Sequence, residues 1–258
     1  MLERSLKLAV ISFVALSLVA CSSMFGEKKE ASASDKAESA EKALQSNMCK
    51  GKINATGLKQ LTDFVSDPTA FFCNANWRMA RAVERQYAAY GDSEKAAKAK
   101  QAREKIENGT YGPAANKALQ VSLSPTDEEK SRYAKAVMDD SSGKTRKAYE
   151  EGRSEVKAAA GEVAIGTASL ALQINSAVQA VKTAKEKKGD TFAQIAAVAQ
   201  VAKTTADVIQ TVSLLNSFKD SVKQYNLNNE FMDRAIGAAE GDKPSLEGAT
   251  DLASLATF

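Results

Sequence analysis

Val163-Ala-Ile-Gly-Thr-Ala-Ser-Leu-Ala-Leu-Gln-Ile-Asn-Ser-Ala-Val-Gln-Ala-Val181 is a run of 19 residues without a charge, and how it is covered decides the fold. It lies inside a longer periodic segment, from about Thr145 to Lys185. There Tyr149, Val156, Ala160, Val163, Thr167, Leu170, Ile174, Ala177, Val181 and Ala184 keep an alternating four-three spacing. That spacing puts them on one stripe of a helix. A second periodic segment runs from Thr191 to about Tyr225, with Ile195, Val198, Val201, Thr205, Val208, Val212, Leu215 and Val222 as its stripe. Gly189 and Asp190, between the two, supply a stop and a new cap. The pattern predicts a long antiparallel, alanine-rich helical hairpin with arms of about 45 to 60 Å at 1.5 Å rise per residue. Its small stripe residues predict close contact between the arms.

The uncharged run also fits a hairpin that enters a membrane, where Gly161, Gly166 and the neighbouring alanines would serve close helix contact. Against this stand Gln173, Asn175 and Gln179 in the first arm and Lys203 and Asp207 in the second. Charges at bilayer depth cost about 2.5 to 3.5 kcal/mol each. A water-exposed hairpin explains the same pattern without that cost, and a membrane-inserting or pore-forming protein is the alternative reading.

Upstream of the hairpin the chain breaks into shorter helical segments. Leu58, Leu61, Phe64 and Val65 form one short stripe. Asp67-Pro68 then offers a cap with proline at the first helical position, and the helix it opens runs to Tyr90 and stops at Gly91. A polar helix follows from Ser93 to Asn108, ended by Asn108-Gly109. Segments near Ala114 to Val121 and Thr126 to Met138 complete the set, the second with acids in its first turn. After the hairpin, Asn226-Leu-Asn-Asn229 punctuates the chain ahead of a short helix from Glu230 to Ala239, and the tail after Gly241 contains Pro244. With only four prolines and helix formers nearly throughout, the class is all-α.

At the other end of the chain, Arg4 and Lys7 precede the apolar run Leu8 to Ala20, which leads into Cys21. A basic start, a short apolar core and small residues at its end make a secretory signal layout. The run is about 13 residues, short of the roughly 20 that a spanning helix needs. Leu18-Val19-Ala20-Cys21 resembles the lipobox of bacterial lipoproteins. The resemblance covers only the first 21 residues, and it implies cleavage after Ala20 and acylation of Cys21. No Asp follows the cysteine, which holds Ser22 and Ser23 instead, so the resemblance implies release to the outer membrane with the domain in the periplasm. Ser22 to about Gln45 is Ser, Ala, Glu and Lys with almost no apolar anchor, a flexible tether spanning on the order of 25 to 30 Å.

The expected organisation is therefore a signal peptide at 1–20, a lipidated cysteine and tether at 21–46, a small helical subdomain at 47–140, the hairpin with its short helix at 141–240, and a loose tail at 241–258. With Cys21 taken by lipid, Cys49 and Cys73 remain as an even pair in an oxidising compartment, and a disulfide between them is expected. The alternative is two buried reduced thiols packed as small hydrophobes.

The chain has no histidine, which removes the commonest general base and the commonest metal ligand. The net charge of +3 does not call for nucleic acid. Asp140-Ser-Ser-Gly-Lys-Thr145 holds a Ser-x-x-Lys and the end of a phosphate loop, but the first glycine of the loop is missing, because position 138 is Met138. It is read as a turn broken by Gly143. Carboxylates sit among lysines at helical spacing, as on solvated faces. No enzyme, cofactor or metal is expected. The expectation is a scaffold or partner-binding module held to the membrane by its lipid. Val208, Val212 and Leu215 are the candidate interaction surface, because the second arm's apolar face is wider than one helix can bury. Either the N-terminal helices cover that face, or another chain does, as a protein partner or a second copy.

Overall fold

The computed structural model describes residues 49, 51–53, 67–109, 113–186 and 191–237. Over these the chain is all-α, with six helices: α1 Pro68–Ala89, α2 Ser93–Glu107, α3 Pro113–Ser122, α4 Asp127–Asp139, α5 Lys144–Glu186 and α6 Thr191–Ile236. The signal residues Leu18, Val19 and Ala20, the acylation candidate Cys21, the tether, the Leu58 to Val65 stripe, Gly189, Asp190 and the tail all lie outside the described residues.

Local chemistry accounts for the helix ends. Proline opens α1, and Gly91, at φ +78°, closes it. There the Asp92 N–H donates to the Tyr87 carbonyl at 2.9 Å and the Gly91 N–H to the Ala88 carbonyl at 3.2 Å, so the last carbonyls of the helix are satisfied. Asp67 does not cap α1 through its side chain. Its carboxylate pairs instead with Lys52 at 2.9 Å. Thr126 and Glu129 bond reciprocally at the start of α4, each satisfying a backbone N–H that the helix cannot. Gly143, at φ +69°, makes the turn into α5.

Helix α1 lies along α5. Gln86 meets the Tyr149 carbonyl at 3.0 Å, Arg81 pairs with Glu155, Arg78 with Glu162 at 2.8 Å, and Asn74 with Glu162 at 2.9 Å. One set of numbers falls as the other rises, so the two helices run in opposite directions. The same holds between α5 and α6, where Tyr149 bonds Asp233 at 2.7 Å and Ser176 bonds Gln200 at 2.8 Å. At 43 and 46 residues these two helices are each about 65 to 70 Å long.

A single core joins α1 to the hairpin. Phe72, Val83, Tyr133, Tyr149, Val163 and Phe218 belong to one buried cluster. That core takes residues both from 47–140 and from 141–240. Helix α1 contributes Phe72, Cys73, Ala75, Met79 and Val83 to it. The disulfide between Cys49 and Cys73 fastens the entering chain to α1, with 5.5 Å between the Cα atoms.

Two further expectations change. Helix α6 continues through Asn226-Leu-Asn-Asn229 without a break. Tertiary partners take up amide groups that would otherwise compete with the backbone: Asn228 Nδ2 donates to the Leu123 carbonyl at 2.8 Å. The stripe of the second arm also has a different register at its start. Among the described side chains, Ala197, Val201, Thr204, Val208, Thr211, Leu215, Phe218, Val222 and Tyr225 are buried or half-buried and keep a four-three spacing. Ile195 and Val198 fall off that line and are 63% and 61% exposed. Alanine and threonine hold the inward positions there, at Ala197 and Thr204.

Candidate functional site

Tyrosines converge between α1, α4 and α6. Tyr87, Tyr90, Tyr133 and Tyr225 line a pocket with Gln86, Asn228 and Asn229. The unfilled volume is about 360 Å3, solvent at the mouth included. Tyr90 and Tyr133 stack with ring centroids 5.0 Å apart, and Tyr87 meets Tyr133 edge-on at 5.3 Å. Such pairs contribute about 0.5 to 1.5 kcal/mol beyond their buried area.

The polar tips of these rings are fixed. The Tyr133 hydroxyl donates to Asp92 at 2.5 Å, and Gln86 Nε2 donates to the Tyr225 hydroxyl at 2.8 Å. Burial pushes the hydroxyls of Tyr87, Tyr90, Tyr133 and Tyr225 above their ordinary titration range, so all four stay protonated. Burial also pushes the Asp92 carboxyl up, but the Lys95 backbone N–H, the Tyr133 hydroxyl and the Lys95 and Arg132 charges outweigh it and hold it below the usual carboxylate range. The pocket has aromatic walls, the amide groups of Gln86, Asn228 and Asn229, and Lys130 at its edge.

A second cluster lies between α1 and α5. Glu162 is 3% exposed and accepts from both Asn74 and Arg78, while Glu155 takes Arg81. Burial pushes the Glu162 carboxyl up, and Arg78 and Asn74 offset only part of that. Arg81, desolvated and beside Arg85 and Arg78, is lowered to about 10. These groups satisfy one another across a helix pair, which is a structural use.

Of the residues expected to form an interaction surface, Leu215 is 3% exposed and belongs to the core. Val208 and Val212 are half-buried against the same core. The N-terminal helices reach this part of the arm: Asn76 Nδ2 bonds the Leu214 carbonyl at 3.2 Å. The large apolar side chains most open to solvent on the hairpin lie farther out, at Leu172, Ile195 and Val198. In the turn before α5, Asp140 accepts from the Ser142 and Thr145 backbone N–H groups, so its carboxylate serves the turn and the helix start. Among the described residues no group of acids and cysteines is placed to hold a metal ion, and no helix is long and apolar enough to cross a membrane.

Nothing in the sequence singles out the pocket, whose tyrosines come from α1, α4 and α6. The one usable signal was the asparagine run at 226–229, whose three amides are poor helix formers inside a helical pattern. No protein family, no curated protein and no solved structure matches the chain.

Proposed function

We propose that the protein is a non-enzymatic lipoprotein, anchored to the outer membrane through acylated Cys21 and holding its helical domain in the periplasm as a partner-binding scaffold. The observation that carries this reading is the stretch Leu18-Val19-Ala20-Cys21, placed after a short apolar run and before a polar tether. Each buried CH2 of an attached acyl chain contributes about 0.8 kcal/mol, so several chains on one cysteine hold the protein to a bilayer for good. The buried disulfide fits an oxidising compartment.

Two features support a scaffold. The arms reach well past the N-terminal end of α1, which packs at Gly166 through Phe71 and Phe72. That outer part carries Leu172, Ile195 and Val198 at 64%, 63% and 61% exposure, apolar side chains open to a partner. Crosslinking in intact cells, from a photoreactive residue placed at position 198, tests this reading. A discrete crosslinked product, lost when Ile195 and Leu172 are both changed to Asp, is the expected result. A protein that crosslinks to nothing at this site while remaining membrane-bound contradicts the scaffold reading and leaves the anchor standing.

A further inference from the structure

We infer that one side of the outer hairpin is a self-association face on which a second copy of this chain packs antiparallel, a proposal that rests on the scaffold reading and names the partner of that surface. The inward line of α5 runs through Val163, Thr167, Leu170, Ile174, Ala177 and Val181, and that of α6 through Ala197, Val201, Thr204, Val208 and Leu215. Positions one place before an inward residue face α1. Glu162 bonds Asn74 at 2.9 Å, Gly166 lies against Phe71 and Phe72, and the Leu214 carbonyl accepts from Asn76 at 3.2 Å. Farther out, Ser176 and Gln200 hold the same places and bond each other at 2.8 Å. Positions one place after an inward residue stand about 200° round the helix from these, on the opposite side.

At the base of the hairpin that opposite side is exposed and bears Lys157, Asn216, Lys219 and Lys223, as a solvated face does. In the outer part it bears Ala171, Asn175 and Val178 of α5 and Val198 of α6, with exposed Ile195 one turn from Val198. Because Ser176 and Gln200 are level in two antiparallel helices, Val178 and Val198 are level too. No charge interrupts this stretch. Helix α5 has none from Val163 to Val181, and the two charges of α6 between Thr191 and Phe218, Lys203 and Asp207, precede Thr204 and Val208, the register of the other side.

One side of the hairpin thus exchanges lysine for alanine, valine and isoleucine, the depletion of charge found in interface cores. It offers no counter-charge to an ionic partner, and it sets no like charges together when it meets itself. The area suffices for a pair. The 19 uncharged residues of α5 extend about 28 Å, and two helices side by side are about 20 Å across, so each copy covers roughly 550 Å2 and the pair roughly 1,100 Å2, the size a specific interface needs. The lysines set the orientation: parallel pairing places Lys157, Lys219 and Lys223 against their own counterparts, whereas antiparallel pairing about a two-fold axis puts the two bases at opposite ends. The outer arms then form a four-helix bundle.

The test uses the full chain in intact cells, with two differently tagged copies produced together and a photoreactive residue at position 198 of one. The expected product has twice the mass of the chain and carries both tags. Ile195→Asp in both copies brings like charges into the contact and is expected to lower its yield on the order of tenfold or more, with the circular dichroism unchanged because Ile195 is exposed. The photoreactive residue at position 223, on the same side at the base, is expected to give no such product. A product at 198 that joins only a different protein overturns the second copy and leaves the scaffold reading standing, whereas no product of any kind removes both. Equal yields at 198 and 223, or a yield that Ile195→Asp leaves unchanged, mark collision or another pairing and also overturn the proposal. The comparison of positions 198 and 223 decides the matter even if the Asp variant fails to fold.

Discussion

Gly166 of α5 lies against Phe72 of α1, so closely that a β-carbon at position 166 would stand 2.8 Å from Phe72 Cε2 and 2.8 Å from Phe71 Cβ. Five residues earlier on the same helix, Gly161 has nothing within 4 Å of where its β-carbon would be. The two glycines look alike in the sequence and differ in what they do. Gly166→Ala forces the helices apart, at about 1 to 3 kcal/mol for overpacking, less up to about 1 kcal/mol of helix propensity. Gly161→Ala keeps only the second term and stabilises by roughly 0.5 to 1 kcal/mol. Denaturant unfolding of both variants measures this, and shifts of the same sign in the two would refute the packing at Gly166.

Removing one partner of the Arg78 and Glu162 pair leaves the other buried. Arg78→Met is expected to destabilise by about 3 to 5 kcal/mol, because Glu162 keeps its desolvation cost without its cation. Changing both residues to Met should recover most of that loss. A double variant as unstable as the single one would mean that the cost lies in packing around Arg78 and not in charge.

Asp92 and Glu162, shifted in opposite directions, give pH effects of opposite sign. Asp92 titrates below its ordinary value when folded, so its contribution is present above about pH 4 and is lost as pH falls through the lowered value. Glu162 titrates above its ordinary value, so the folded protein takes up the proton first. Its effect on stability therefore falls as pH rises from about 4.3 through the raised value. Unfolding of Asp92→Asn between pH 2 and 4 should show a shallower acid loss than the parent, and Glu162→Gln should lose the decline above pH 4 (both limits rough, set by the ordinary values). Unchanged slopes in both variants count against the burial and pairing described for these groups.

Punctuation residues made much of this fold legible. Pro68, Gly91, Gly109, the Ser124-Pro125 step and Gly143 mark helix ends because each acts through its own backbone. What escaped depends on distant partners. Asn226 to Asn229 look like a break until Leu123, more than 100 residues away, supplies a carbonyl for Asn228. Ile195 and Val198 outrank Ala197 and Thr204 on any hydrophobicity count, yet the smaller residues are the more buried, because they continue the line of Val208, Leu215 and Val222 along the helix. The pocket was invisible for a related reason: its walls are two helical stripes, Val83, Gln86, Tyr87 and Tyr90 along α1 and Tyr225, Asn228, Asn229 and Met232 along α6, and only the fold brings them face to face.

Cutting the bridge between Cys49 and Cys73 tests how the chain leading into α1 is held. The bridge closes a loop with a sequence separation of 24, which by loop entropy contributes roughly 3 kcal/mol. The double change of Cys49 and Cys73 to Ala should lower stability by about that amount and raise proteolysis near Lys52, with α5 and α6 still helical by circular dichroism. Equal stability and equal cleavage would show that the bridge fastens nothing.

Mass spectrometry of the N-terminal peptide from protein purified out of membranes bears most directly on the membrane anchor. The expected peptide begins at Cys21 and carries acyl chains on the sulfur and on the amine, and Cys21→Ala yields a chain with no acyl mass that leaves the membrane fraction. A membrane-bound protein whose first residue lies upstream of Cys21, or whose Cys21 is unmodified, would contradict the lipoprotein reading.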